Sequence, residues 1–579
     1  MSKHKTIAMA VVMTVSIWEM SLLNGATAQS LDEQIDRRLR QRLTFADGAF
    51  PFMVAGRFIH EPARLARFYA QRHFRAAWQA SDALRLQAVS LVQALREAYA
   101  EGLDPRVYHL TAIETLTEDL YPFPASHGGW NVDRYADLDL LLSDAFFRYG
   151  SQLLAGRLYL DGHEATPLAK EVDDNLLAIL QKALALGDVR DALRGLLPSQ
   201  PGYASLRQAL ARYRHIAANG GWPTLPAGPA LKKDNVDARI GVLRKRLQVT
   251  GDVVAPETSV VSRVGPVDAF DEALEQAVRA FQARHGLDID GIVGEATRAA
   301  LNVPATVRVQ QIALNMERWR WLSRQLGARY IQVNIPAFKL DVMEHEESVL
   351  SMRVVVGKPY QRTPVFSGTM TYLVLNPFWQ IPSRIARREI LPILRQKPEY
   401  LANRNMTVLE ASARGMQEID PLTIDWSTVT ASAFRYRLRQ EPGPQNALGR
   451  VKFIFPNPHH VYLHDTPHRS SFDKPIRAFS HGCVRLEDPV ALAAYLLQEE
   501  PRWSRASIQD TIARGHRRHV SLRESIPVHL IYRTTWVDAQ GAVQFRPDIY
   551  QLDQLDQLDQ LDHLDQRHAA AVCGATRCG

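Results

Sequence analysis

Cys483 closes the run Ser480-His481-Gly482-Cys483, and His464-Asp465-Thr466-Pro467 stands shortly before it, so a thiol, two imidazoles and a glycine share one short segment. A cysteine nucleophile attacks as the thiolate. A free thiol with a pKa of about 8.5 is only a few per cent ionised at neutral pH, so a base must stand nearby. His481 is two residues from Cys483, and in extended backbone such side chains share a face about 7 Å apart, too far for direct proton transfer. His464 is separated from Cys483 by 18 residues, enough chain to loop back and set its ring beside the sulfur, and is the expected base. Gly482 permits a tight turn and close substrate approach, so the N–H groups of Gly482 and Cys483 are both expected to face a developing oxyanion. The tautomer of the base needs a partner on its other nitrogen, and either the backbone or the side chain of Asp465 can supply one. The pattern suits acyl transfer.

Two plainer readings compete. A lone cysteine is more often a small buried hydrophobe, and only the Ser480-His481-Gly482 context argues otherwise. Metal binding is the other, because His459, His460, His464, His468, His481 and Cys483 lie within 25 residues. His464 and His468 would need a helix to converge, which Pro467 and the strand-like 461–463 oppose. Zinc is therefore the weaker reading of these residues.

The elements that must position these groups are strands. Ile331, Val333 and Ile335 alternate with polar neighbours, as do Phe338, Leu340 and Val342, and 353–356, 372–375, 453–455 and 461–463 continue the series. Between 383 and 446 the alternation lapses into a helix-like stretch followed by a polar, proline-containing one, which reads as a lid insertion. Upstream, Leu138, Leu142, Ala145 and Tyr149 form the apolar stripe of a helix that Gly150 and Gly156 weaken and end. Stripes around Leu65, Phe68 and Tyr69 and around Leu91, Leu95 and Ala98 extend a helical domain over 29–225. Gly220-Gly221-Trp222-Pro223 with Pro226, Gly228 and Pro229 marks its boundary. A compact unit at 230–303 carries Leu274, Ala277, Val278 and Phe281 on one helix face, with Gly286 as a left-handed cap and Asp290-Gly291 as a turn. The tail 541–579 repeats Gln-Leu-Asp, whose spacing of three makes a spiralling stripe instead of a seam, and is read as dispensable.

Length and composition agree with this division. At about 150 residues per domain, 579 residues predict three or four domains, with 46% hydrophobic and 23% charged residues matching ordinary globular protein. Collagen-like, disulfide-scaffold, wholly disordered and polytopic membrane classes are excluded. The net charge of +7, from 69 Lys and Arg against 62 Asp and Glu, comes without a basic run interleaved with aromatics, so no nucleic-acid partner is expected. Lys3 and Lys5 precede an apolar stretch over 7–18 that Glu19 interrupts, and Ala26-Thr27-Ala28 has small residues at both determining positions. Residues 1–28 therefore read as a signal peptide cleaved after Ala28, leaving a chain peripheral to a membrane at most. Only three cysteines occur, so disulfides do not hold the main fold. Cys573 and Cys578 are close enough in sequence to pair, leaving Cys483 as the odd thiol.

A His, 15 intervening residues and Ser-His-Gly-Cys together resemble the signature of the L,D-transpeptidase (YkuD-type) catalytic domain. The likeness extends over Asn315-Met316-Glu317-Arg318-Trp319-Arg320-Trp321, Val333-Asn334-Ile335-Pro336-Ala337-Phe338, Val354-Val355-Val356-Gly357-Lys358 and Asn376-Pro377-Phe378-Trp379, within a domain at 304–540. Leu243, Leu247, Phe270, Ala277, Phe281, Gln282, Gly286, Asp290-Gly291, Gly294, Thr297 and Leu301 resemble the peptidoglycan-binding type 1 module. The whole is similar to the large periplasmic L,D-transpeptidases of Gram-negative bacteria. That resemblance implies a multidomain α+β protein: a helical scaffold domain, a small helical binding module, and a β-rich catalytic domain with a lid. It implies Cys483 as nucleophile and His464 as proton acceptor and donor, with Ser480, His481, Gly482 and Arg485 around them. Arg485 stands where many members carry Asn. It further implies peptidoglycan stem peptides and glycan as partners, alongside other cell-wall synthesis proteins. The implied reaction is thioester formation with loss of D-Ala, then transfer to a diaminopimelate amine, with no metal or organic cofactor, and carbapenems acylate the same cysteine. Water or a D-amino acid as acceptor would give a carboxypeptidase or exchange enzyme, and a noncatalytic wall-binding scaffold is the alternative of another class.

Overall fold

Helical stripes before Gln200 and strand alternation after Asn302 sort into two units that divide between Ser199 and Gln200. The computed structural model of the chain describes residues 30–45, 52–78, 82–120, 131–156, 167–252, 268–322, 326–413 and 415–554. The leader at 1–28, Cys573, Cys578 and most of the Gln-Leu-Asp repeat lie outside the described residues. No helix among the described residues is long and apolar enough to cross a membrane.

The first unit is helical, with one short hairpin, β1 (Met53–Val54) and β2 (Arg57–Phe58). Its axis is the helix Val132–Ala155. The expected stripe of Leu138, Leu142, Ala145 and Tyr149 is buried, but so is almost every residue from Tyr135 to Ala155. A helix surrounded on all sides buries polar residues too, and these must find partners. Asp139 accepts from the Tyr69 hydroxyl at 2.6 Å and from the N–H groups of Ala77 (2.9 Å) and Trp78 (3.0 Å), while the Trp78 indole N–H reaches Ser143 at 2.9 Å. Gly150 does not end this helix, contrary to expectation. A Cβ there would press on Leu176, so its bareness lets a neighbouring helix approach. Gly156, with φ +78°, is the actual stop.

In the second unit the helix Pro201–Ala218, expected in the helical domain ending at 225, packs instead on the helix Ala305–Arg320. Arg320 donates to the Tyr203 hydroxyl at 2.8 Å, and Gly202 leaves room for Trp319. The small module consists of helices Arg239–Thr250, Glu272–His285 and Glu295–Leu301 around Leu243, Leu247, Phe270, Leu274, Phe281 and Leu301. Each such fully buried side chain contributes about 1.5–3 kcal/mol. Gly286 caps the second helix in the left-handed conformation at φ +67°, as its position after the apolar face predicts. The Gln282 amide clasps the following turn, donating to Asp290 at 2.7 Å and accepting from the Gly291 N–H at 2.9 Å.

The main sheet of the second unit comprises β3 (Arg329–Asn334), β4 (Lys339–Glu344), β5 (Glu347–Gly357) and β6 (Phe366–Leu375), then, beyond the insertion, β11 (Val451–Ile454), β12 (Leu463–His464), β13 (Ala478–Ser480), β14 (Val484–Leu486) and β15 (Arg518–Ile531). Their order is β13-β5-β14-β12-β11-β6-β15-β3-β4, and β4 pairs again with β5, closing the sheet on itself. The core inside holds Ile331, Val333, Leu340, Val354, Leu373, Phe453, Leu463 and Val484. The insertion is more than a helix-like and polar stretch: β7 (Trp379–Gln380), β8 (Met406–Ser412), β9 (Gly415–Ile419) and β10 (Arg437–Gln440) form a second sheet. Its own core gathers Ile390, Leu394, Leu401, Val408, Trp426, Phe434 and Leu438.

The expected boundary at 540 is also corrected. β16 (Thr535–Val537) pairs with β17 (Val543–Phe545), and Tyr550 is buried in the core of the main sheet. Asp553, inside the first Gln-Leu-Asp unit, meets Arg318 at 2.6 Å and the Thr534 hydroxyl at 2.8 Å. A buried ion pair and a buried aromatic ring make 541–554 part of the domain, not a dispensable tail.

Candidate active site

Register alone assembles the site. Lys452 of β11 is paired with His464 of β12, and His464 with Arg485 of β14; one step along, Phe453 is paired with Leu463 and Leu463 with Val484. Paired residues share a face and neighbours along a strand alternate. Phe453, Leu463 and Val484 are all fully buried in the core, so Lys452, His464 and Arg485 must take the opposite face. Tyr462 and Cys483, each two positions before a member of that row, join it; the Tyr462 carbonyl accepts the Val484 N–H at 3.2 Å.

The thiol lies in a cationic, phenolic bed. Burial pushes Cys483 above its usual value, opposed by hydrogen bonds from the Tyr462 backbone and hydroxyl and by the charges of Lys452 and Arg485. The Lys452 ammonium stands 3.8 Å from the centre of the Tyr462 ring, and burial draws its pKa below the usual lysine value. Burial likewise lowers Arg485, whose Nε is buried without a hydrogen-bond partner. Among the described residues no carboxylate pairs with either cation. Tyr462, raised by burial and by the nearby sulfur, stays a protonated phenol able to donate.

His464 is buried, and its Nδ1 faces the backbone carbonyl of Asp465 at 2.5 Å. The backbone, not the side chain, of Asp465 therefore orients the ring. The Asp465 carboxylate instead accepts the N–H groups of Arg450 (2.7 Å) and Thr466 (2.7 Å) and pairs with Arg469 at 2.9 Å. Burial, then Arg485 and Lys452, outweigh carbonyl contacts from Asp465 and Leu448 and bring His464 down to about 3. The ring is neutral at any ordinary pH. Among the described residues no hydrogen bond joins His464 to Cys483; they stand on one face, with Cys483 two positions before Arg485, the register partner of His464.

The Ser-His-Gly turn departs from its expected use. The Gly482 N–H donates to Ser480 Oγ at 3.1 Å, and that hydroxyl donates to the Cys483 carbonyl at 2.5 Å, so the Gly482 N–H is not presented to an oxyanion. Gly482 has φ +117°, which only glycine adopts readily, and its carbonyl accepts from Thr363 Oγ1 at 2.8 Å. Thr363 also takes the Gly357 N–H at 2.9 Å, and the Tyr550 hydroxyl bridges the Gly357 carbonyl (2.7 Å) and the Thr363 N–H (3.1 Å). His481 turns away to Glu389 of the insertion, 2.8 Å from Nε2. Glu389 lies in a single π-helical turn, Ala386–Ile390, a feature frequent at functional sites. Sequence reasoning missed Lys452, Tyr462, Thr363 and Glu389. Only Tyr462 had a local signal, its two-residue spacing from His464.

A thiol, a phenol, an imidazole and two cations without a carboxylate partner among the described residues thus share one face of the closed sheet. Residues 328–508 match the L,D-transpeptidase catalytic domain family, residues 63–210 a scaffold domain, and residues 243–301 the "Putative peptidoglycan binding domain" family. The chain thus carries an L,D-transpeptidase catalytic domain preceded by a helical scaffold domain and a peptidoglycan-binding module.

A Haemophilus influenzae protein described as "Putative L,D-transpeptidase" is 35% identical over 244 residues, 42% of this chain and 48% of that protein. The N-acetylmuramoyl-L-alanine amidase CwlM of Mycobacterium tuberculosis is 40% identical over 80 residues, 14% of this chain and 20% of its own. The chain thus matches about half or less of the length of these curated relatives. Among solved structures, an L,D-transpeptidase from Mycobacterium smegmatis is similar at 16% identity over 35% of this chain and 58% of its own, with a TM-score of 0.17. That score is too low to add weight to the sequence match.

Proposed function

We propose that this protein is an exported, periplasmic L,D-transpeptidase that cross-links peptidoglycan stem peptides. Cys483 Sγ attacks the carbonyl carbon of the amide that follows diaminopimelate in a tetrapeptide stem. The C–N bond breaks, D-Ala leaves with a proton on its amine, and a thioester remains. The side-chain amine of a second diaminopimelate then attacks the thioester, forming the new amide and returning the thiol. His464 takes the proton from the attacking group and gives it to the leaving one.

The observation that carries this reading is the thiol's setting beside Tyr462, Lys452 and Arg485, with no carboxylate among the described residues to neutralise the two cations. Such a face favours a thiolate and attracts an anionic substrate, and the terminal D-Ala of the donor stem is a carboxylate. Burial sets the resting state, since it raises the thiol and is the largest of the causes that lower His464. With the thiol raised and the imidazole brought down to about 3, both groups are neutral at rest and proton transfer between them is uphill. A substrate carboxylate held by Arg485 would offset the charge that most depresses His464 after burial itself, so donor binding would make the imidazole more basic.

Analysis of muropeptides after incubation with purified tetrapeptide tests the proposal. Wild type yields dimers joined between third residues; Cys483→Ala and His464→Ala, checked for folding by circular dichroism, yield none. Shortened monomers without dimers would make the protein a carboxypeptidase. An unmodified intact mass after carbapenem treatment that labels a control enzyme would favour a noncatalytic scaffold.

A further inference from the structure

The helical first unit brings together three residues that the catalytic reading does not use. His60 lies between β2 and the helix Pro62–Gln71, His109 precedes the helix Leu110–Leu120 with φ +58°, and Asp144 sits inside the helix Val132–Ala155. Their side chains converge from three segments. His109 Nε2 is 2.7 Å and His60 Nδ1 3.2 Å from Asp144 Oδ2, and the two nitrogens are 3.3 Å apart. The Asp144 and His109 side chains are buried, whereas that of His60 keeps 16% of its surface open to solvent.

Donor atoms at about 2.0–2.1 Å from a tetrahedral zinc ion lie about 3.3 Å from one another. Two of the three separations already have that value, and the third needs the His109 ring and the carboxylate to part by about half an ångström. The other carboxylate oxygen, Oδ1, accepts the N–H groups of His60 at 3.1 Å and Glu61 at 2.8 Å. That is the outer support which orients a ligating carboxylate.

We propose that His60, His109 and Asp144 form a structural site for a divalent cation of the zinc class, with a water entering at His60 as fourth ligand. The ion would pin the β2 turn and the start of the helix Leu110–Leu120 onto the helix Val132–Ala155. It takes no part in acyl transfer.

The test uses the full chain, stripped with chelator, with its three cysteines alkylated to remove thiolate ligands, and zinc alone as probe. Wild type should retain one more zinc per chain than His60→Phe after dialysis. Zinc should also raise the melting temperature of wild type and leave that of His60→Phe unchanged. Equal zinc retention, or a melting temperature indifferent to zinc and chelator in both proteins, overturns the site and leaves a hydrogen-bonded carboxylate. If His60→Phe fails to fold, cobalt(II) decides on wild type alone. Visible bands of tetrahedral nitrogen and oxygen ligation, lost on adding one equivalent of zinc, support the site, and their absence overturns it.

Discussion

Replacing Lys452 by Met probes whether charge on the sheet face activates the thiol. The Lys452 ammonium sits on the Tyr462 ring, and that ring's hydroxyl hydrogen-bonds the sulfur. A lysine charge close enough to be felt by the sulfur, at an effective dielectric of about 20, interacts with a thiolate by about 2–3 kcal/mol. At about 1.4 kcal/mol per unit, loss of that charge raises the thiol pKa by about 1.5–2 units. The sign is fixed: a cation favours the thiolate, so its removal pushes an already raised pKa higher. Below the pKa the thiolate fraction then falls about 30- to 100-fold. Part of this is returned because a more basic thiolate is more nucleophilic, with a Brønsted slope of about 0.4–0.5. The net expectation is an alkylation rate by iodoacetamide about 10-fold slower for Lys452→Met at neutral pH. Its pH–rate profile should be displaced to higher pH, and Lys452→Arg should restore most of the rate. Methionine keeps the length of the side chain, so circular dichroism should match wild type. Superimposable pH–rate profiles for wild type and Lys452→Met would refute the electrostatic argument.

Arg485→Met should lower kcat/KM for D-Ala release by about 10- to 100-fold, the worth of a charged hydrogen bond of about 1.5–3 kcal/mol. A tetrapeptide with an amidated C-terminus should be a poor substrate for wild type yet no worse than the free acid for the variant; equal discrimination by both proteins sinks the carboxylate role. Thr363→Val leaves the Gly357 N–H and the Gly482 carbonyl unpaired in the interior, and should cost about 1–3 kcal/mol in denaturant unfolding together with slower acylation of Cys483. Unchanged stability would mean that water replaces the hydroxyl. Glu389→Gln weakens an exposed contact with His481, worth below about 1 kcal/mol, so the melting temperature should stay put; a drop of several degrees would show the contact to be structural.

The sequence made the strands, the glycine cap at Gly286 and the Cys483 signature legible because each is written in contiguous residues. Two-residue alternation marks Ile331, Val333 and Ile335, and a glycine after an apolar helix face marks the cap. Lys452 was invisible because its place depends on pairing with His464, 12 residues away, and nothing local to Val451-Lys452-Phe453 announces a partner. The same holds for Thr363 and Tyr550, which reach the Gly482 turn from distant strands and loops. Burial around Asp139 and Asp144 was missed for another reason. A stripe describes a helix with one covered side, and the helix Val132–Ala155 is covered on all of them. The insertion hid its sheet because β9 is exposed along nearly its whole length, so no apolar alternation betrays it.

The apolar side of the sheet holds the reactive side in place. Sliding β12 by one residue against β14 would carry His464 and Tyr462 into the core and bring Leu463 out. Phe453, Leu463 and Val484 oppose that slip, since each loses burial worth about 1.5–3 kcal/mol if displaced. The polar groups on the opposite face contribute no comparable restraint: Lys452 and Arg485 have no carboxylate partner among the described residues, and both depress His464. The site is therefore held against its own electrostatics by the hydrophobic layer beneath it. That is how two cations can stand unpaired beside a thiol until an anion arrives to pair with them.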